Sequence, residues 1–197
     1  MAIKIRRVAI LGAGVMGAQI AAHLAAAGVR AYLLDLPSDQ PPSDPKLAKL
    51  IGKRFRSTRS IAAIAALSEL KPSPVSHPSI LDLIIPGNFD DDWSVLADAD
   101  WIIEAVVERL DIKKSIHKKI AEVARPHVPV TTNTSGILLR DIASDLPEAY
   151  LRRFFGVHFF NPPRYMRLVE IIKHEDTDAN LVSDLSQWIS ERLGKGI

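Results

Sequence analysis

Six residues constrain this chain more than any others: G12-A-G-V-M-G17. They follow a short apolar run, residues 8–11, and open an apolar-periodic stretch that reaches residue 27 and stops at Gly28. The pattern predicts a strand, a tight glycine turn and a helix. Gly12 permits the turn, Gly14 has no side chain to obstruct a pyrophosphate, and Gly17 lets helix and strand approach. The unpaired N–H groups and partial positive charge at the start of the helix suit phosphates. A second apolar run, 31–34, ends at Asp35, 18 positions beyond Gly17. A carboxylate there accepts hydrogen bonds from an adenine ribose and repels a 2′-phosphate, so NAD is expected over NADP. The plainer alternative is a tight turn with an acid that only caps it.

The strand–helix rhythm then breaks. Residues 38–45, SDQPPSDP, form a proline-rich loop; 46–70 read as helix, with a break near Ser57; 71–78, KPSPVSHP, form a second loop; and 84–89 are a short strand candidate. An ordinary crossover is much shorter, so residues 37–95 are expected to be a helical insertion within one dinucleotide-binding domain spanning 1–197. The alternation resumes with a strand at 100–106, a helix at 111–124, a strand at 127–132 and a short helix at 138–146. Strands at 154–160 and 167–172 and a helix at 177–193, stopped by Gly194, complete it. The expected fold is α/β: a Rossmann-type doubly wound, mostly parallel sheet with an added antiparallel strand pair and a helical insertion.

Composition narrows the function classes. A net charge of only +2 argues against a nucleic-acid binder. The chain has no cysteine, which excludes disulfides and thiolate metal sites, and no metal site is expected. The opening MAIKIRRVAILGAG is not a secretory signal, because Arg6 and Arg7 interrupt it, and no apolar run approaches the ~20 residues of a membrane span. A cytoplasmic location is expected.

Ligands of open α/β sheets sit beyond the carboxyl ends of the strands. Glu104 and Glu108 flank the end of the fourth predicted strand, and N133-T-S-G136 follows the fifth. The short polar side chains and the glycine of that stretch suit a nicotinamide ribose or a substrate carbonyl; for Ser135 an ordinary turn or helix cap is the alternative. Glu108 and Lys113, five residues apart, also read as a plain surface pair. His158 and Glu170 stand each six positions from Arg164. A hairpin centred there would put them opposite one another on one face, with Cβ atoms about 5 Å apart. The carboxylate would hold one ring nitrogen and leave the other to take a proton from an alcohol. A core histidine satisfied by a structural glutamate is the competing explanation.

These motifs together, LGAGVMG with Asp35, EAVVERLDIK (104–113), NTSG (133–136) and HFFNP (158–162) with Glu170, resemble the NAD-binding domain of L-3-hydroxyacyl-CoA dehydrogenases. The resemblance implies that Gly12, Gly14, Met16 and Gly17 form the pyrophosphate loop and Asp35 holds the adenine ribose. It implies that Val107, Glu108 and Lys113 lie along the cofactor, that Ser135 reaches cofactor and substrate, and that Asn161 sits near the nicotinamide. His158 would be the catalytic base and Glu170 its partner, with Ser135 assisting. The implied reaction is NAD-dependent oxidation of a 3-hydroxyacyl-CoA to the 3-ketoacyl-CoA in fatty-acid β-oxidation. The family adds a second, helical domain that completes the cleft and makes a homodimer. This chain stops before it, so a fragment of a longer protein is expected, with weak or no turnover alone. The long 36–99 stretch resembles the versions that begin long bacterial chains, some carrying an enoyl-CoA hydratase unit.

Within that stretch Lys46, Lys49, Lys53 and Arg56 fall on one stripe of a continuous helix, with Leu47, Leu50, Ile51 and Phe55 opposite. In the family a helical hairpin at this place contacts the CoA nucleotide, so the stripe is expected to hold CoA phosphates or simply to be solvated. Two other functions compete: a dehydrogenase of a small hydroxy acid or sugar acid, and a non-catalytic NAD-binding module.

Overall fold

The computed structural model describes residues 3–197. The chain runs β1 (Arg7–Leu11), α1 (Val15–Ala26), β2 (Arg30–Asp35), α2 (Pro45–Ile51), α3 (Thr58–Leu67), β3 (Ile84–Asn88), β4 (Trp101–Glu104) and α4 (Leu110–Val123). It continues through β5 (Val130–Thr132), α5 (Leu139–Ala143), α6 (Glu148–Leu151), β6 (Phe154–Phe159), β7 (Val169–Lys173) and α7 (Ala179–Leu193). The seven strands form one sheet in the order β3-β2-β1-β4-β5-β6-β7. Every neighbouring pair is parallel except β6 and β7. The strand order reverses between β1 and β4, and side chains at their carboxyl ends face a crevice there.

Central strands are apolar on both faces because helices cover both. Val8 and Ile10 pack with Ile20 and Leu24 of α1 and Leu185 and Ile189 of α7. The alternate residues Ala9 and Leu11 pack with Ile116 and Ile120 of α4 and Ile142 of α5. That period of two fixes the strand register, since a one-residue slip would exchange the two layers. α7 is capped at its start by the Asp178 carboxylate, which accepts from the Asn180 and Leu181 N–H groups, and ends on Gly194 in the left-handed region.

The strand candidate at 84–89 is β3, the edge strand, which pairs in parallel with β2 from Ala31↔Ile84 to Asp35↔Asn88. Residues 36–83 form a lengthened β2-to-β3 crossover that carries the expected inserted helices. One expectation needs correction: the single helix carrying the basic stripe fails. α2 ends at Gly52, whose φ of 56° lies in the region glycine favours, and Lys53 falls outside any helix. Arg56 lies on a 3₁₀ turn and is spent on Asp90 and Asp91, both at 2.8 Å. Lys46 and Lys49 remain on α2, so the expected CoA subsite loses its continuous surface.

Candidate active site

The glycine turn is shaped by two close approaches. A Cβ on Gly17 would sit 1.9 Å from the Gly12 carbonyl oxygen, and one on Gly12 would sit 2.5 Å from the Ala105 carbonyl oxygen. Neither obstacle is a side chain that can move. Gly14 differs: nothing lies within 4 Å of a Cβ built there. Its missing side chain leaves open space at the start of α1, the room a pyrophosphate needs. Asp35, at the end of β2, accepts from the Ala13 and Leu36 N–H groups and thus ties β2 to the turn. It both caps the turn and lines the adjoining cavity.

That cavity, about 860 Å³, is bordered by Gly12, Gly14, Asp35, Phe89, Trp93 and Val107. A second, about 450 Å³, is bordered by Met16, Val107, Glu108, Lys113, Asn133, Ser135, His158 and Asn161. The two share Gly14 and residues 105–107, so they form a bent path across the crevice. Its polar groups at one end and its histidine at the other fit a dinucleotide laid with its pyrophosphate over Gly14.

His158 and Glu170 are register partners on β6 and β7. His158 Nδ1 stands 2.9 Å from Glu170 Oε2. A carboxylate only accepts, so Nδ1 carries the proton and Nε2 keeps a free lone pair. The imidazole is mostly buried, with 16% of its side chain exposed, and the Phe160 ring packs edge-on at 4.6 Å. Asn161 Oδ1 faces Gln19 Nε2 of α1 at 3.1 Å, which ties the turn after β6 to the helix after the glycine turn.

The Glu108–Lys113 surface-pair alternative does not hold, because Lys113 is buried. Its ammonium bonds both oxygens of the fully buried Glu104, at 2.8 and 3.0 Å, and reaches Glu108 Oε2 at 3.3 Å. Glu104 also accepts from the Thr132 hydroxyl at 2.7 Å and the Val106 N–H at 2.8 Å. His117 Nε2 faces it at 3.4 Å, and His117 Nδ1 stands 2.7 Å from the Tyr150 hydroxyl. Burial pushes the Glu104 carboxyl up. The hydrogen bond and charge of His117, with the Lys113 ammonium, outweigh that and hold it at about 2. Partial burial likewise pushes Glu108 up, and the Thr134 hydroxyl, the Gly136 N–H and Lys113 overcome it, so its carboxyl lies below its ordinary range. Glu108 Oε1 takes the Thr134 hydroxyl and the N–H groups of Ser135 and Gly136. It is the clasp that closes the 133–136 loop.

The structure thus brings Met16, Val107, Glu108, Lys113, Ser135, His158 and Asn161 around one cavity. Gly12, Gly14 and Asp35 lie on its continuation, and Gly17 packs beneath the turn. The basic residues Lys46, Lys49, Lys53 and Arg56 border neither cavity. Sequence reasoning placed the 133–136 stretch at the site but singled out only Ser135 in it, and it gave no role to His117 or Tyr150. Buried polar residues on otherwise apolar helix and strand faces were the available signal.

The family profile described as "3-hydroxyacyl-CoA dehydrogenase, NAD binding domain" matches residues 7–197. A probable 3-hydroxyacyl-CoA dehydrogenase of Bacillus subtilis is 40% identical over 196 residues, covering 98% of this chain and 25% of that protein. One of Deinococcus radiodurans is 38% identical, covering 98% of this chain and 53% of that protein. The chain therefore spans between a quarter and about half the length of these relatives. Among solved structures, 3-hydroxybutyryl-CoA dehydrogenase of Escherichia coli matches with a TM-score of 0.74 and 33% identity, covering 98% of this chain and 37% of that one. The (S)-3-hydroxybutyryl-CoA dehydrogenase of Ralstonia eutropha matches with a TM-score of 0.70 and 30% identity, covering 98% and 62%.

Proposed function

Since the chain belongs to the family of 3-hydroxyacyl-CoA dehydrogenase NAD-binding domains, we propose that it carries the cofactor site and catalytic base of an NAD-dependent 3-hydroxyacyl-CoA dehydrogenase. The observation that carries this reading is the His158–Glu170 pair, 2.9 Å apart, whose histidine borders a cavity continuous with the glycine turn. The relatives' names supply the substrate class, a 3-hydroxyacyl thioester.

NAD, when bound, supplies the hydride acceptor. The protein's part is to hold it and to take a proton. The opening of α1 and the bare Gly14 receive the pyrophosphate, and Asp35 receives the adenine ribose. His158 Nε2 takes the proton of the substrate hydroxyl as the carbinol hydride departs, leaving a carbonyl. Glu170 keeps the ring oriented and stabilises the imidazolium that forms. Phe159 and Phe160 give this end of the cavity an aromatic border, which favours an acyl chain over a small hydroxy acid. We place the enzyme in the cytoplasm, in the oxidation of fatty acyl chains, as a homodimer where a second domain is present.

The test is calorimetric titration with NAD, NADP and then acetoacetyl-CoA in the presence of NAD, followed by turnover assays. NAD binding with weak NADP binding, and oxidation of 3-hydroxybutyryl-CoA by this chain or an extended one, is the expected result. Turnover of a small hydroxy acid instead, or of no alcohol at all, would overturn the reading.

A further inference from the structure

Hydrogen-bond accounting at Asn133 leaves one group unassigned. The Phe159 backbone N–H points at its side chain, 2.8 Å from Oδ1. A backbone N–H only donates, so the atom it meets must be the amide oxygen, and the orientation of the amide follows from chemistry. Asn133 Nδ2 then carries two N–H donors, and among the described residues it bonds to no protein acceptor. Asn161 is different, because its partner Gln19 is also an amide and both could be inverted together.

We propose that Asn133 is a cofactor-binding residue whose Nδ2 donates to the carboxamide oxygen of the nicotinamide. The inference rests on the dinucleotide reading and not on the identity of the substrate. Three features support it. Asn133 borders the cavity with His158, Met16 and Val107, and Val107 also borders the cavity of the glycine turn. The donor is held in place: the Asn133 N–H bonds the Glu104 carbonyl at 2.8 Å, Thr132 is bonded to the Glu104 carboxylate, and Thr134 to Glu108. Glu104 is itself fixed by Lys113 and His117, so the donor needs no reorganisation on binding. Finally, the Lys113 charge is already shared between two carboxylates. The group received beside Asn133 is therefore a neutral acceptor, which the carboxamide is, and not an anion.

Asn133→Asp is the incisive variant. It keeps an oxygen for the Phe159 N–H and nearly the same shape, and it exchanges the donor for a carboxylate oxygen. The wild type and the variant are each titrated with ADP-ribose, NAD and a dinucleotide whose pyridinium ring lacks the carboxamide. ADP-ribose should bind both proteins alike. The wild type should prefer NAD over the carboxamide-free analogue by about tenfold, the worth of one good hydrogen bond. In the variant that preference should fall to within about twofold. Both dinucleotides carry the same ring charge, so the charge of the added carboxylate cancels in the ratio; its oxygen can still accept from the NH2 of a rotated carboxamide, so Asn133→Ala, which neither donates nor accepts, is titrated beside it and decides the outcome. Should Asn133→Asp melt too low for titration, Asn133→Ala gives the ratio alone. An Asn133→Ala variant that keeps the wild-type preference overturns the inference and leaves the cofactor reading standing. A folded wild type that binds neither dinucleotide overturns both.

Discussion

Replacing Lys113 with Met tests whether the buried network supports the site. The substitution keeps the aliphatic length and removes an ammonium bonded to Glu104 at 2.8 and 3.0 Å and to Glu108 at 3.3 Å. Glu104 is fully buried, and removing one partner of a buried ion pair costs about 3–5 kcal/mol. Here the Thr132 hydroxyl, the Val106 N–H and His117 remain on the carboxylate, which puts the loss near the lower limit, about 3 kcal/mol. The depression of Glu104 below its ordinary range is the joint work of His117 and Lys113, so the variant loses only part of it. For a domain of this size a loss of about 3 kcal/mol is a fall in Tm of roughly 6–12 °C. The pH dependence has a definite sign. A carboxyl depressed in the folded state contributes stability above its ordinary value and loses it as the pH falls from 4.5 toward 2. Scanning calorimetry at pH 7 and at pH 3 should therefore show a large difference between wild type and Lys113→Met that narrows in acid. A variant that melts within a degree or two of wild type at pH 7, or one whose deficit is the same at both pH values, would refute the argument.

The remaining expectations concern the cavity. His158→Ala should cut turnover by about 10²–10⁴ while NAD affinity stays within a few-fold, measured by steady-state kinetics and calorimetry on a chain that turns over. A large loss of NAD affinity would make His158 a cofactor residue. Gly14→Ala should leave the melting curve nearly unchanged and abolish NAD binding, because its Cβ meets only open space. Gly17→Ala should unfold the turn itself, because its Cβ would lie 1.9 Å from a backbone oxygen; equal stabilities for the two variants would contradict this. Asp35→Ala should weaken NAD binding and relax discrimination against NADP, as titration with each would show.

The pairing of His158 with Glu170 was legible because side chains in strands alternate and both residues are equidistant from one turn position. The start of the fold was legible because each element of β1, α1 and β2 carries its own stop: the glycine turn, Gly28 and Asp35. Strand β3 was legible as a candidate at 84–89, but its place in the sheet was not, because its partner β2 lies some fifty residues earlier. Periodicity drew a continuous helix through Gly52, where the backbone turns away. Lys113 looked like a surface cation because charge spacing along a helix does not reveal a carboxylate arriving from a neighbouring strand. The orientation of the Asn133 amide was hidden for a related reason: it depends on which atom meets the Phe159 N–H, and sequence does not say which side chains are already occupied.

The segment just after α7 ties back into the loop between the two members of the acid–base pair. Gly196 exchanges backbone hydrogen bonds with Arg167 and Val169, at 2.9 Å each, and the Lys195 ammonium holds the carbonyls of Pro163 and Met166. Val169 immediately precedes Glu170, and β7 is the edge strand, paired with β6 along its length and on its other side bonded only at Val169, by Gly196. β6 is paired with β5 as far as Gly156, two residues before His158, whereas the strand of Glu170 has only β6 and the Gly196 bond. Mechanically, residues 194–196 act as a rein on that strand: a pull on them passes through two hydrogen bonds to the backbone beside Glu170. The placing of the Glu170 carboxylate against His158 is thus tied to a segment that borders neither of the two cavities.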